Sequence, residues 1–120
     1  MIIKKTIFKD LKVIQGKVHY DSRGFFKEIF KRKILKNHNS IFWCVSKSKK
    51  NVLRGLHLQT KKQQEKFVTV VKGKILDVVV DLRLKSKTFG KFYKIILSDK
   101  NGKSLFIPAG FAHGFLGLDK

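Results

Sequence analysis

Punctuation limits the fold of this chain more than any other feature. Runs rich in Val, Ile, Leu and Phe recur along it, and each is soon cut by a glycine or a polar turn. The runs are Lys12–Tyr20, Gly24–Phe30, Ile41–Ser46, Leu53–Gln59, Lys66–Val71, Lys74–Leu84, Phe92–Leu97, Ser104–Pro108 and Ala112–Leu118. Between them stand turn signals: "DSRG" at 21–24, "KSKKN" at 47–51, "VKGK" at 71–74, "KSKTFGK" at 85–91 and "DKNG" at 99–102. Short strands at this spacing predict an all-β sandwich or barrel, closed or double-sheeted so that strand edges are protected. Helical periodicity is not sustained, and only Lys31–Asn37 could form a short helix. The chain shows no internal repeat and no linker, so residues 1–120 read as one domain.

A hydrophobic fraction of 42% supplies a real core, which excludes a disordered tail. The single cysteine, Cys44, excludes an internal disulfide framework and fits a reducing compartment. Charges interrupt the N-terminal "MIIKKTIFKDLK", so it does not read as a signal peptide, and no apolar run is long enough to span a bilayer. The expectation is a soluble, cytoplasmic protein without a membrane partner. A net charge of +20 raises the question of a polyanion. The lysines, however, are scattered from Lys4 to Lys120 with no basic helix or tail. Arginine, the better reader of phosphates and bases, occurs only at positions 23, 32, 54 and 83. Specific nucleic-acid binding is not expected, whereas an anionic small ligand suits the charge.

Chemistry-bearing residues concentrate in three stretches. In "NVLRGLHLQ", residues 51–59, Leu53, Leu56 and Leu58 look like core. Strand alternation puts Leu56 and Leu58 on one face, packed between sheets, and His57 and Gln59 on the other. Arg54 and His57 need not share a face, because Gly55 permits a break in the alternation. In "IPAGFAHGF", residues 107–115, Pro108, Gly110 and Gly114 fix the backbone around His113. Of the other histidines, His38 reads as a surface residue and His19 as a strand-end structural one. In "DSRGFFKE", residues 21–28, Asp21 and Gly24 suit a capped hairpin with a solvated Arg23 at its tip.

Pro108-x-Gly110-x-x-His113 resembles the second motif of the cupin superfamily of small β-barrels. Placed on the first cupin motif, His57 takes the first ligand position, Gln59 stands where a second histidine would be, and Lys66 stands where a glutamate would be. An ammonium at a ligand position repels a divalent cation, so no metal is expected. A fixed positive charge in a dry barrel instead stabilises an enolate oxygen, and a neutral histidine beside it can act as a general base. His57 with Lys66 therefore suits proton abstraction next to a carbonyl. Arg54 would suit a phosphate.

Five segments, taken in order, resemble the dTDP-4-dehydrorhamnose 3,5-epimerase family. They are "DSRGFFKE" (21–28), "SKSKKNVLRGLHLQ" (46–59), "EKFVTVVKGKILDVVVDLR" (65–83), "SKTFGKF" (86–92) and "LSDKNGKSLFIPAGFAHGF" (97–115). The resemblance implies a cupin-type jelly-roll, usually dimeric, and cofactor-free epimerisation at C3 and C5 of a dTDP-4-keto-6-deoxyhexose on the route to dTDP-L-rhamnose. It implies His57 as base, Lys66 as enolate stabiliser, Arg54 on the diphosphate, and His113 and Gln59 lining the pocket. Arg23, Phe26 and Glu28 would contact the nucleotide, commonly in the neighbouring subunit. Two departures stand out. Phe42 and Cys44 occupy the places of a Gln-x-Asn pair, which touches sugar or nucleotide specificity. The family also continues past this last motif with a tyrosine acid and an aspartate that orients the base, so an N-terminal fragment of a longer epimerase is expected. A 3- or 5-only epimerase or ketoisomerase on another nucleotide sugar, and a non-catalytic nucleotide-sugar or polyanion binder, are the alternatives. "FAHGFLGLDK", residues 111–120, would then be an apolar strand left without its next partner.

Overall fold

The computed structural model describes residues 1–35, 43–58, 61 and 64–118. Its strands are β1 (Ile2–Lys5), β2 (Lys12–Gln15), β3 (Val18–Asp21), β4 (Gly24–Lys27), β5 (Leu53–His57), β6 (Lys66–Thr69), β7 (Lys74–Asp81), β8 (Phe92–Ser98), β9 (Lys103–Ile107) and β10 (Phe111–Gly117). They form two four-stranded antiparallel sheets, ordered β1-β2-β9-β6 and β5-β10-β7-β8, and a separate two-stranded ribbon, β3-β4. The all-β expectation holds. The expected helix is a short 3-10 turn, Arg32–Leu35, while residues 36 and 37 lie outside the described residues, as do His38, Ile41 and Phe42. No helix among the described residues is long and apolar enough to cross a membrane.

The core forms because alternate residues of both sheets turn toward each other. Val13 of β2 with Leu105 and Ile107 of β9 meets Val79 of β7, Leu97 of β8 and Phe111 of β10, and Phe8 and Leu11 close the end. Phe8 and Phe111 pack edge to face with ring centroids 5.3 Å apart. Outside this core, Phe30 stacks edge-on against both Phe67 (5.2 Å) and Trp43 (5.7 Å).

Several expectations are corrected here. The run Lys12–Tyr20 is two strands, because Gly16 leaves β2 to donate its N–H to the Gly102 carbonyl, after which the chain enters the ribbon. The run Gly24–Phe30 stops as a strand at Lys27, and Trp43–Ser46 is not a strand. Strand β1, unannounced by a stretch as charged as "IIKK", forms by pairing with β2. The segment expected to be a bare apolar edge is the opposite. Strand β10 sits inside its sheet between β5 and β7, which satisfies both of its hydrogen-bonding sides. The edge is β5 instead. Leu53 is 69% and Leu56 54% exposed, because β5 has one strand neighbour; these two leucines are not core.

Turn chemistry follows the sequence closely. Asp21 Oδ1 accepts the backbone N–H of Arg23 at 2.8 Å, and Gly24 takes φ +135°, which closes the ribbon tip. The root of the ribbon is fastened by Lys27. Its ammonium donates to the Val70 carbonyl at 2.8 Å and the Asp99 carbonyl at 3.3 Å.

Candidate active site

The site is built around β10. His113 stands opposite Val79 of β7 and opposite His57 of β5. Directly opposed residues share a face, and Val79 belongs to the core, so both histidines come off the inner face of the sheet. The β5–β10 pair then breaks register. Arg54 opposes Phe115, so β10 advances two residues while β5 advances three. This bulge restores the parity that plain alternation would have broken, and Arg54 and His57 share the inner face. Gly55 makes it possible with φ +114°. At the open edge β5 is solvent-exposed, and Arg54 Nη2 donates to the Lys47 carbonyl at 3.2 Å.

The opposite sheet supplies the cation. Lys66 of β6 opposes Ile107 of β9, a core residue, so Lys66 also comes off the inner face. It is half-buried, and its ammonium lies close enough to Asp77 of β7 to favour that group's charge. Asp77 itself has 0% exposure. Its Oδ2 is hydrogen-bonded to His113 Nε2 at 2.8 Å, and its Oδ1 has no partner. Burial pushes the Asp77 carboxyl up from its ordinary range, and the His113 contact and Lys66 pull partly the other way.

Thus four expected residues, Arg54, His57, Lys66 and His113, occupy the inner faces at one region of the sandwich. Gln59 lies outside the described residues. The other three expected residues form a second group on the ribbon. Arg23 is at the tip, its side chain 88% exposed and paired with Asp21 at 2.7 Å. Phe26 is exposed, and Glu28, just past β4, pairs with Lys31 at 2.7 Å. Asp77 was not expected. Its signal was present in "ILDVVVDL", where Asp77 and Asp81 both fall on the buried parity of an otherwise apolar strand. Cys44 is free and exposed. Among the described residues, no three His, Cys, Asp or Glu side chains are grouped to hold a metal ion.

Residues 5–120 match the family model described as dTDP-4-dehydrorhamnose 3,5-epimerase. The chain belongs to the dTDP-4-dehydrorhamnose 3,5-epimerase family. A curated member from Methanothermobacter thermautotrophicus is 44% identical over 118 residues, covering 95% of this chain and 64% of that protein. The epimerase structure from Legionella pneumophila, in complex with dTDP-4-keto-L-rhamnose, superimposes with a TM-score of 0.88 at 43% identity, covering 98% of this chain and 65% of that one. A double mutant of a 3′-monoepimerase from Streptomyces bikiniensis, in complex with dTDP, gives a TM-score of 0.85 at 27% identity over 95% of this chain and 60% of that one. The sequence therefore spans less than two thirds of the length of each of these three proteins. The two sheets are those of the family's cupin-type jelly roll, as the motifs implied.

Proposed function

We propose that the protein acts as a 3,5-epimerase on a dTDP-4-keto-6-deoxyhexose, in the route to dTDP-L-rhamnose for cell-surface polysaccharide. One observation carries this reading: His57 and His113 are paired on one inner face, with the Lys66 cation on the inner face of the facing sheet. The C4 ketone acidifies the C–H bonds at C3 and C5. His57 takes one of these protons as general base, and the bonding electrons move onto the ketone oxygen. Lys66 stabilises the resulting enolate. A proton returned to the opposite face of the carbon inverts it and restores the ketone, with no net oxidation. Arg54 and Gln59 serve binding, Arg54 at the diphosphate. No cofactor is required by this sequence of steps.

The ribbon has a different job in this proposal. Arg23, Phe26 and Glu28 reach the nucleotide of a neighbouring subunit in a homodimer. The exposed Tyr20, Phe25 and Phe26 on the ribbon and Leu53 and Leu56 on β5 are apolar surface that a second copy would cover. The exposed, free Cys44 fits work in the reducing cytoplasm.

The test is solvent deuterium incorporation followed by NMR. The protein exchanges the C3 and C5 protons of the dTDP-4-keto sugar, and His57→Ala abolishes both. Exchange that survives in His57→Ala sinks the base assignment. A single-position epimerase is the second reading, favoured by the similarity to the 3′-monoepimerase and by Cys44 in place of a polar pocket residue. Deuterium at only one carbon would select it.

A further inference from the structure

Two aspartates lie on the inner face of β7, and they are built in opposite ways. Both Asp77 and Asp81 have 0% exposure. Asp81 uses both oxygens. Oδ1 accepts the Arg83 backbone N–H and Nε at 3.0 Å each, and Oδ2 accepts Ser86 Oγ and Thr88 Oγ1 at 2.6 Å each. Asp77 uses one, toward His113, and leaves Oδ1 without a partner. A buried carboxylate oxygen without a donor costs stability, so Asp77 is not explained as a structural clamp. The groups around it are few. His113 faces it from β10, with His57 beyond on β5, Lys66 acts on it from β6, and its β8 neighbour is the apolar Ile95.

We infer that Asp77 is a positioning residue: as a carboxylate it holds the proton of His113 on Nε2 and leaves Nδ1 as the ring's acceptor nitrogen. A carboxylate only accepts, so the 2.8 Å contact requires Nε2–H. A protonated Asp77 would donate instead and put the imidazole proton on Nδ1. Burial pushes the carboxyl up, but the His113 hydrogen bond and the Lys66 cation oppose it, and a proton on Oδ1 would find no acceptor. The consequence deepens the reading proposed above and rests on it. With Nδ1 bare, His113 cannot donate to the enolate oxygen, so that task falls to Lys66 alone. What Nδ1 can do is accept a hydrogen bond from a sugar hydroxyl. His113 thereby selects substrates with a donor at that place, and Asp77 sets which nitrogen does the selecting.

The experiment is a long-range 1H–15N spectrum of the full chain labelled with 15N-histidine, near neutral pH. The expected result is a protonated Nε2 and a bare Nδ1 for His113 in the wild type. In Asp77→Asn, whose amide can donate, the proton moves wholly or partly to Nδ1. A wild-type His113 protonated on Nδ1 overturns the inference without any variant, so failure of Asp77→Asn to fold does not protect it. An unchanged tautomer in folded Asp77→Asn overturns it as well. In turnover, Asp77→Asn raises KM roughly tenfold, the worth of one hydrogen bond, with a smaller effect on kcat. Unchanged KM would overturn the role in substrate selection. If the wild type exchanges no sugar proton, the epimerase reading fails while the tautomer result stands on its own.

Discussion

Gly55 of β5 and Gly114 of β10 pass so close that a Cβ on Gly55 would lie 2.5 Å from Gly114 Cα and 2.7 Å from the His113 carbonyl oxygen. Real side chains do not occupy such space, and Gly55 also holds φ +114°. The two glycines let β5 close onto β10 at the bulge that brings Arg54 and His57 to one face. Gly55→Ala is therefore expected to push β5 away from His113. The barrel core does not depend on β5, whose residues are exposed, so the stability cost should be only about 1–3 kcal/mol. On the proposed function, activity should fall much further, because His57 moves relative to the Lys66 cation on the other sheet. Thermal melts beside proton-exchange rates check this. A variant with wild-type exchange would show that the close approach does not matter to the site.

The ribbon's orientation depends on Lys27. Strands β3 and β4 belong to neither large sheet, and the Lys27 ammonium ties them to the Val70 and Asp99 carbonyls. Burial lowers the pKa of Lys27, with Asp99 opposing, so the amine is held partly desolvated for the sake of this tether. Lys27→Met keeps the apolar stem and removes the donor. Hydrogen exchange should then speed up at the amides of Val18–Lys27 and stay unchanged in β7 and β9. If the ribbon carries nucleotide contacts to a neighbour, KM for the nucleotide sugar rises in the same variant. Equal protection of the ribbon in both proteins would refute the tether.

Much of this was readable in the sequence, and what escaped did so for identifiable reasons. The ribbon turn was readable because Asp21 and Gly24 carry their own local chemistry, independent of the rest of the fold. Strands β7 and β9 were readable as largely apolar runs bounded by turn signals. Edge and centre were not. Leu53 and Leu56 on β5 have the same composition as a central strand, and only sheet order, which is non-local, leaves them exposed. The same cause reversed the expectation for β10. Strand β1 is fixed by its partner β2 rather than by its own propensity. His57 and His113 stood out because glycine and proline interrupt apolar strands around them, whereas Lys66 stood out only by its place in the cupin-like frame. Asp77 carries no motif of its own, and its role depends on the sheet pairing that sets His113 beside it.

The two β7 aspartates should also separate in stability. Burial pushes the Asp81 carboxyl up, but the hydrogen bonds from Arg83, Ser86 and Thr88 outweigh it and hold the group well below the carboxylate range. A depressed folded pKa means stability present above the unfolded value of 3.8 and lost as pH falls below it. Asp77 has the opposite sign. Its raised pKa means that its ionised form weakens the fold as pH rises through the folded value. At pH 7, Asp81→Asn should cost about 2 kcal/mol, discounted because Arg83 is partly solvated. It should also flatten the acid limb of a stability–pH curve. Asp77→Asn should melt no lower than the wild type. A melting temperature for Asp77→Asn as low as that for Asp81→Asn would show that Asp77 is a structural residue after all.

Lys66 offers the sharpest separation of binding from chemistry. It is half-buried on the inner face of β6, opposite a core isoleucine, where a methionine of similar length can pack. The fold should therefore tolerate Lys66→Met, and the apolar substitute removes a cation without leaving an unpaired one. On the proposed function, binding of the ground-state ketone would use the nucleotide and diphosphate contacts, which this change does not touch. In the proposed reaction the enolate exists only transiently, and its charge is what Lys66 would meet. Removal of one such oxyanion partner costs roughly 10²–10³ in kcat. Lys66→Met should accordingly bind the dTDP-sugar with near wild-type affinity by calorimetry while proton exchange at both C3 and C5 falls together by that factor. A loss confined to binding would move Lys66 from the enolate to the diphosphate. A loss at one carbon only would mean that the two enolates are stabilised by different groups.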